Sequence, residues 1–224
     1  MTPPVGSHVA RAEIEELQGS FERASAPAVV AWAVERFGAE LTVACSFQDA
    51  VLVHLAVTAD PAVEIVFLDT GFHFPETLDY VEALRVRYDL NLVVLRPGPD
   101  AAPWPCGSEH CCRRRKVAPL NRHLEHRAAW MTGLKRSDAP TRADTPVVAW
   151  DDAREPVKIN PIATWSDDDV ARYQAENDLP LHPLSGEGYR SIGCAPTTRP
   201  VAPGEDQRAG RWAGTGRVEC GLHE

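Results

Sequence analysis

No stretch of this chain approaches the roughly 18 consecutive apolar residues that a membrane helix requires, so no membrane-spanning helix is expected. The opening "MTPPVGSHVARAEIEELQ" lacks a basic start followed by an apolar core. No secretory leader is therefore expected there, and the expected location is cytoplasmic. An excess of positive charge is also missing. Lys and Arg number 23 against 32 Asp and Glu, a net charge of −9, and the isoelectric point is near 5.4. Phosphate neutralisation along a nucleic acid needs a basic face, so no nucleic-acid partner is expected. Any anion the protein binds must be met by a local basic cluster. There is no internal repeat. One further gap is local: "SIGCAPTTRP" (191–200) reads as half of a C-x-x-C hairpin, with Cys194 present and Thr197 where a second cysteine would stand.

The 224 residues suffice for one α/β domain with a substantial core. Helical spacing runs from Arg11 to about Phe37, interrupted at Pro27. Short β-branched runs at 41–47, 63–69, 90–97 and 128–134 read as buried strands. The intervening stretches 48–59, 75–89 and 112–127 read as helices. Alternation of this kind predicts a doubly wound, mainly parallel sheet, which binds ligands at the carboxyl ends of its strands. Near 157 a short strand is expected, and Ser166 followed by Asp167, Asp168 and Asp169 reads as a capped surface helix rather than a metal site. From Pro180 onward Gly and Pro are frequent and periodicity fades. The expected division is a nucleotide-binding domain over 1–199, with 1–10 frayed, and a mobile tail over 200–224.

Six cysteines remain to be explained: Cys45, Cys106, Cys111, Cys112, Cys194 and Cys220. A reducing compartment disfavours structural disulfides, so clustered cysteines suggest metal or redox chemistry. Cys45 closes an apolar strand and is expected in the core, and His54 is expected to be structural. Cys220 lies in "ECGLHE" at the end of the tail, with Arg208, Arg211 and Arg217 before it and His223 after it. Cations near a thiol favour the nucleophilic thiolate. "CCRRRK" places Arg113, Arg114, Arg115 and Lys116 at a helix start, and "GLKRSDAPTRA" adds Lys135, Arg136 and Arg142. Each alone is an ordinary surface charge, but together, in an acidic chain, they point to an anionic ligand.

In their order, "FLDTGFHFPET", "CCRRRKVAPL", "GLKRSDAPTRA", "INPIATWSDDDV", "HPLSGEGYRSIGC", "GRW" and "ECGLHE" resemble the assimilatory adenylyl-sulfate and phosphoadenylyl-sulfate reductases from about residue 40 to the end. The resemblance implies an adenine-nucleotide α-hydrolase-like (PP-loop-like) α/β fold and a homo-oligomer. It implies that the Cys220 thiolate attacks the sulfur of adenosine phosphosulfate, releasing AMP and leaving an S-sulfonated cysteine. Thioredoxin or a glutaredoxin-like dithiol would then free sulfite. By motif position, Lys116, Arg136, Arg208, Arg211 and His223 would lie near the phosphosulfate. "SFQD" (Ser46, Phe47, Gln48, Asp49) would cradle the phosphosulfate or ribose, and Leu68 and Asp69 would edge the adenine. No flavin or nicotinamide is expected.

Family members preferring adenylyl sulfate resemble "CC…C-x-x-C" and carry a [4Fe–4S] cluster on four cysteinates, whereas those preferring the 3′-phosphorylated substrate usually lack all four. This chain has Cys111, Cys112 and Cys194 at matching places, and Thr197 departs. Three readings stand open: a cluster on three cysteines with Thr197, water or another side chain on the fourth iron; a cluster completed by Cys106; or a cluster-free enzyme. A thiolate is a far better iron–sulfur ligand than a hydroxyl. Substrate choice, adenylyl sulfate against its 3′-phosphorylated form, hangs on the same point. A rival class is an ATP-cleaving PP-loop enzyme, but "CSFQDAV" lacks the paired glycines that let a backbone wrap pyrophosphate. Another rival is a non-catalytic nucleotide or redox sensor, for which an intact "ECGLHE" has no use.

Overall fold

The computed structural model describes residues 10–101, 104–108, 110–212, 217 and 219–223. At the amino end the helical stretch divides in two, α1 (Arg11–Phe21) and α2 (Ala26–Phe37). Pro27 starts the second helix rather than kinking one long helix, because proline fits the first turn, where its missing N–H costs nothing. Ser25 caps that turn by accepting from the Ala28 amide at 3.4 Å.

Five strands follow the expected alternation with helices: β1 (Leu41–Cys45), α3 (Val51–Ala59), β2 (Glu64–Leu68), α4 (Pro75–Tyr88), β3 (Asn91–Leu95), α5 (Ala118–Leu124), β4 (Ala129–Thr132) and β6 (Val157–Ile159). The strand β5 (Val148–Trp150), which hydrophobic pattern alone does not reveal, pairs antiparallel with β6 at one edge. Every other pairing is parallel, and the spatial order is β3-β2-β1-β4-β6-β5. The chain steps outward from β1 to β3, then returns to place β4 on the other side of β1. That reversal opens a crevice at the carboxyl ends of β1 and β4, the general ligand position of such sheets.

Strand alternation divides the core between the two faces. Leu41, Val43 and Cys45 of β1, Ile65 and Phe67 of β2, and Ala129 and Met131 of β4 join α1 to α4 in the larger cluster. Leu68 and Trp130 meet Leu120 and Leu124 of α5 in a smaller one, and Leu222 packs against it from the tail. The same face also carries a polar group: Glu64 accepts from the Thr42 hydroxyl at 2.6 Å and pairs with His123 and Arg127 at 2.7 and 2.6 Å. The helix α6 (Asp167–Glu176) begins with the expected Ser166–Asp169 capping box.

The stretch 112–127 is not uniform helix. Arg113–Val117 is a π-helical turn that leads into α5. Such a turn shifts side-chain register relative to an α-helix and is frequent at functional sites. The tail is irregular, as expected, yet parts of it are packed: Thr198 bridges Arg211, and Val201 and Trp212 are buried. Expected fraying over 1–10 falls almost wholly outside the described residues.

The end of β4 is held to its neighbour by Asn160, which is fully buried. Its side chain accepts from the Thr132 hydroxyl at 3.2 Å and donates to the Pro146 carbonyl at 2.8 Å. Asn160→Ala leaves the buried Thr132 hydroxyl without its acceptor, and a destabilisation of about 1–3 kcal/mol is expected from the denaturation midpoint in urea.

Candidate active site

At the carboxyl ends of β1, β2 and β4 lies a cavity of about 670 Å³, within the range that encloses a small-molecule ligand. The loop after β1 contributes Ser46, Phe47, Gln48 and Asp49, and β2 contributes Leu68. Phe47 takes a left-handed backbone, φ 55°, with its ring buried edge-to-face on Phe67 at 5.4 Å. The turn this makes sends Gln48 across to accept from the Ile192 amide at 3.1 Å. Asp49 caps α3 through the Val51 amide at 2.9 Å, and burial pushes its carboxyl pKa up.

Six cations line the cavity, Lys116, Lys135, Arg142, Arg190, Arg208 and Arg211, against three carboxylates, Asp49, Asp138 and Asp167. In a protein of net charge −9 this is a concentrated positive site. Lys135 is held by Asp138 at 2.9 Å and Asp167 at 2.5 Å. The acidic start of α6 thus does more than cap a helix, since its first residue fixes a cavity lysine. Arg211 lies over the Trp212 ring, 4.6 Å from its centroid, and donates to the Ser191 hydroxyl and the Ile192 carbonyl, both at 3.1 Å. A Cβ on Gly193 would come within 2.5 Å of that guanidinium, so glycine is what lets the arginine lie there.

Cys220, Leu222 and His223 of the tail line the same cavity. Side-chain contacts seat them. Glu219 pairs with Arg142 at 2.8 Å and Arg208 at 3.4 Å. The Leu222 carbonyl accepts from Arg154 at 3.0 Å. His223 stacks flat on Trp130, with centroids 5.9 Å apart and planes at 9°. Glu219 has its charge balanced by two arginines, and its pKa falls, burial being outweighed by Arg142 and Arg208. His223 is held well below the ordinary imidazole value, first by burial and then by Lys158, Arg142, Arg154 and Lys116. Its Nδ1 is buried, with no hydrogen-bond partner among the described residues.

Behind this cavity is a second, much smaller one lined by Cys106, Cys111, Cys112 and Cys194, with Thr70, Thr197 and Arg115. Lys116, Arg211 and Trp212 line both and form the wall between them. Burial works against the Lys116 ammonium, but the sulfurs of Cys194 and Cys220 outweigh it and raise its pKa. Cys194 is held toward its thiolate, down to about 4, by a hydrogen bond with Cys106, with Lys116 and Thr70 acting in the same direction against burial. Among the described residues no three His, Cys, Asp or Glu are grouped to hold a single metal ion. Four soft thiols lining one cavity are instead the type of donor that suits an iron–sulfur cluster, in which thiolates bind separate irons.

Of the sequence-predicted residues, Ser46, Phe47, Gln48, Asp49, Leu68, Lys116, Arg208, Arg211, Cys220 and His223 come together around the large cavity. Two do not. Arg136 points away, to Glu22 at 2.7 Å and the Thr145 carbonyl at 2.8 Å, because its 3-10 turn directs successive side chains to different sides. Asp69 turns back to the Gly71 amide at 3.0 Å and Arg96 at 3.2 Å, closing its own loop. The arginine block also divides: Arg114 pairs with Asp100 at 2.8 Å, while Arg115 staples the Thr70 and Ala101 carbonyls at 3.0 and 2.9 Å and lies over Phe72. Lys135 and Arg142, read from sequence only as part of a basic stretch, are cavity residues. Asp167, Arg190 and Gln207 carried no sequence signal beyond their polarity. Cys45 is in the core as expected, with burial pushing its thiol pKa up, although it also reaches the cavity edge. His54 is structural, bonded to the Tyr173 hydroxyl at 2.9 Å. His73 reaches the cavity and bonds the Leu68 carbonyl at 2.9 Å.

Residues 40–200 match the family model described as the phosphoadenosine phosphosulfate reductase domain. The chain is similar to a Streptomyces coelicolor protein named adenosine 5′-phosphosulfate reductase, 46% identical with 95% of this chain and 94% of that protein covered. A Mycolicibacterium smegmatis protein of the same name is 44% identical, with 94% and 95% covered. Among solved structures, the phosphoadenylyl-sulfate reductase of Candida auris, in a phosphate complex, superposes with a TM-score of 0.74 at 26% identity, covering 86% of this chain and 98% of that one. The flavin mononucleotide adenylyltransferase of Candida glabrata superposes with a TM-score of 0.61 at 14% identity, covering 84% and 71%, a likeness of fold alone.

The seating of the tail carries a pH dependence with a defined sign. A histidine whose pKa is lowered in the docked state takes up a proton more readily when released. Docking is therefore at full strength above the ordinary histidine pKa of about 6.5 and weakens about tenfold per pH unit below it. The Glu219 pairs persist until pH falls below the ordinary glutamate value of about 4.3, through the lowered pKa. Between about pH 5 and 6.5, hydrogen exchange at 219–223, corrected for intrinsic rate, is expected to accelerate in the native chain and to stay flat in His223→Gln.

Proposed function

The chain belongs to the phosphoadenosine phosphosulfate reductase family, and from that premise we propose that it reduces adenosine 5′-phosphosulfate to sulfite and AMP in sulfate assimilation. The observation that carries the reading is the presence of Cys220 on a seated tail, in a cation-lined cavity at the sheet's switch point, with Lys116, Arg208 and Arg211 around the same space. A nucleophilic sulfur and a balanced set of cations are what transfer of a sulfonate group between anions requires.

The Cys220 sulfur attacks the sulfate sulfur. The bond from that sulfur to the bridging phosphate oxygen breaks, AMP leaves with the electron pair, and the cysteine carries a thiosulfonate. One thiolate of thioredoxin, or of a similar dithiol, then attacks the Cys220 sulfur, and sulfite departs with the pair from the broken S–S bond. The donor's second thiol displaces Cys220 from the mixed disulfide. Sulfur is reduced by two electrons and the dithiol is oxidised to a disulfide. Lys116, Arg208 and Arg211 offset negative charge as it moves to the leaving phosphate, in a cavity that keeps water from competing. His223 and Trp130 hold the tail in position. The donor must reach Cys220, so the tail leaves its seat between the two displacements.

The residues of the small cavity fit a [4Fe–4S] cluster: their donors are thiols, Cys194 favours its thiolate, and Lys116 and Arg211 stand ready to balance an anionic cluster. Such a cluster would supply a charged, redox-capable group directly behind the substrate's cations. Cys111, Cys112 and Cys194 would hold it. The second reading, reduction of the 3′-phosphorylated nucleotide, draws on the Candida auris neighbour and on Thr197. The higher identity to proteins named for adenosine 5′-phosphosulfate favours the first.

Cys220→Ser is expected to abolish thioredoxin-dependent sulfite release while leaving nucleotide binding within about twofold. Lys116→Met is expected to lower kcat/KM by about 10²–10³-fold, the scale of a lost transition-state charge partner. With both nucleotides assayed side by side, kcat/KM is expected to favour adenosine 5′-phosphosulfate, and a preference for the 3′-phosphorylated form would establish the second reading instead.

A further inference from the structure

We propose that Cys106 is the fourth cluster ligand, supplied from a different segment of the chain to replace the cysteine missing at Thr197. The inference rests on the cluster reading above.

Four observations converge. Cys106 lines the small cavity together with Cys111, Cys112 and Cys194, so four thiols from three segments face one space. The Cys106 sulfur lies 3.6 Å from the Thr197 hydroxyl, putting the thiol beside the very position whose side chain cannot serve as a soft ligand. The loop that carries it is built for close approach. Gly107 has φ 86°, and a Cβ there would meet the Thr197 methyl at 3.0 Å, so only glycine lets this loop lie against the 194–197 turn. The loop is also pinned. The Ser108 amide and hydroxyl both donate to the Pro105 carbonyl, at 3.2 and 2.8 Å, and the Cys111 amide bonds the Ser108 carbonyl at 3.2 Å. Arg217 donates to that same carbonyl at 3.0 Å, joining the loop to the tail that carries Cys220.

The opposing turn is equally fixed. The Ala195 amide donates to the Phe72 carbonyl at 2.7 Å, and Thr70 contacts the Cys194 sulfur at 3.4 Å. Threonine is well suited to position 197 in this arrangement, since its hydroxyl hydrogen-bonds both the Cys194 carbonyl, at 3.4 Å, and the Cys106 sulfur. Thr197 thereby orients the replacement ligand rather than binding iron itself, a supporting role of the kind that tunes metal sites. The ligand pattern becomes Cys106, Cys111, Cys112 and Cys194, with three of the four drawn from a span of seven residues (106–112).

The test is iron and acid-labile sulfide per chain, with absorption and electron paramagnetic resonance spectra, on protein purified without oxygen. The native chain is expected to hold near-stoichiometric cluster. Cys106→Ser is expected to retain at least about tenfold less, and Cys106→Ser/Thr197→Cys, which moves the thiol back to the hairpin, is expected to recover it. Circular dichroism and nucleotide binding on each variant separate ligand loss from misfolding. Cys106→Ser protein with native iron content and an unchanged spectrum would overturn the proposal, as would a native chain free of iron. Neither outcome touches the sulfite chemistry, which is tested separately by Cys220→Ser.

Discussion

The half-buried Lys116 ammonium stands between two sulfurs from far-separated parts of the chain, Cys194 on the 194–197 turn and Cys220 on the tail, and together they raise its pKa against burial. On that one interaction the two halves of the site depend. Lys116 and Arg211 form the wall between the cysteine cavity and the cation-lined cavity, so a charge placed on one side is felt on the other without contact. Across a wall of protein, such coupling is stronger than between charges separated by water. The π-helical turn at Arg113–Val117 sets this up, since it brings Lys116 to the wall two residues before α5 settles into regular helix.

The tail is the second constraint. Its seat combines a flat aromatic stack, a pair of arginine–carboxylate contacts and a single carbonyl bond from Arg154. None of these buries much apolar surface apart from Leu222. A segment held by polar contacts to a rigid scaffold can be released at modest cost, as a cysteine that serves two partners in succession requires. His223, neutral in the seat and with no partner at Nδ1 among the described residues, sets the pH below which that release becomes easier.

Much of this was legible in the sequence. The β-branched runs at 41–47, 63–69 and 128–134 announce strands because burial on both faces leaves little room for polar residues. The switch point follows from the alternation with helices. The division of α1 from α2 was written in Ser25 and Pro27, which signal a helix start as readily as a break. The three-residue edge strand β5 was not legible, since so short a run lacks periodicity. For the site, cysteines and cations announced their presence but not their partners. Nothing in "GLKRSDAPTRA" says that Lys135 and Arg142 enter the cavity while Arg136 turns to Glu22; that is decided by a 3-10 turn and by an acid 114 residues away. Cys106 could be named from sequence as one candidate for the missing ligand, but only the fold lays its loop against Thr197.

The measurement closest to the centre of the account is the intact mass of the chain after exposure to adenosine 5′-phosphosulfate with no dithiol present, followed by peptide mapping. The account predicts a gain of one SO₃ group per chain, carried on Cys220 and removed by thioredoxin with release of one sulfite. Sulfite formed with no covalent adduct, or an adduct on any other cysteine, would contradict it.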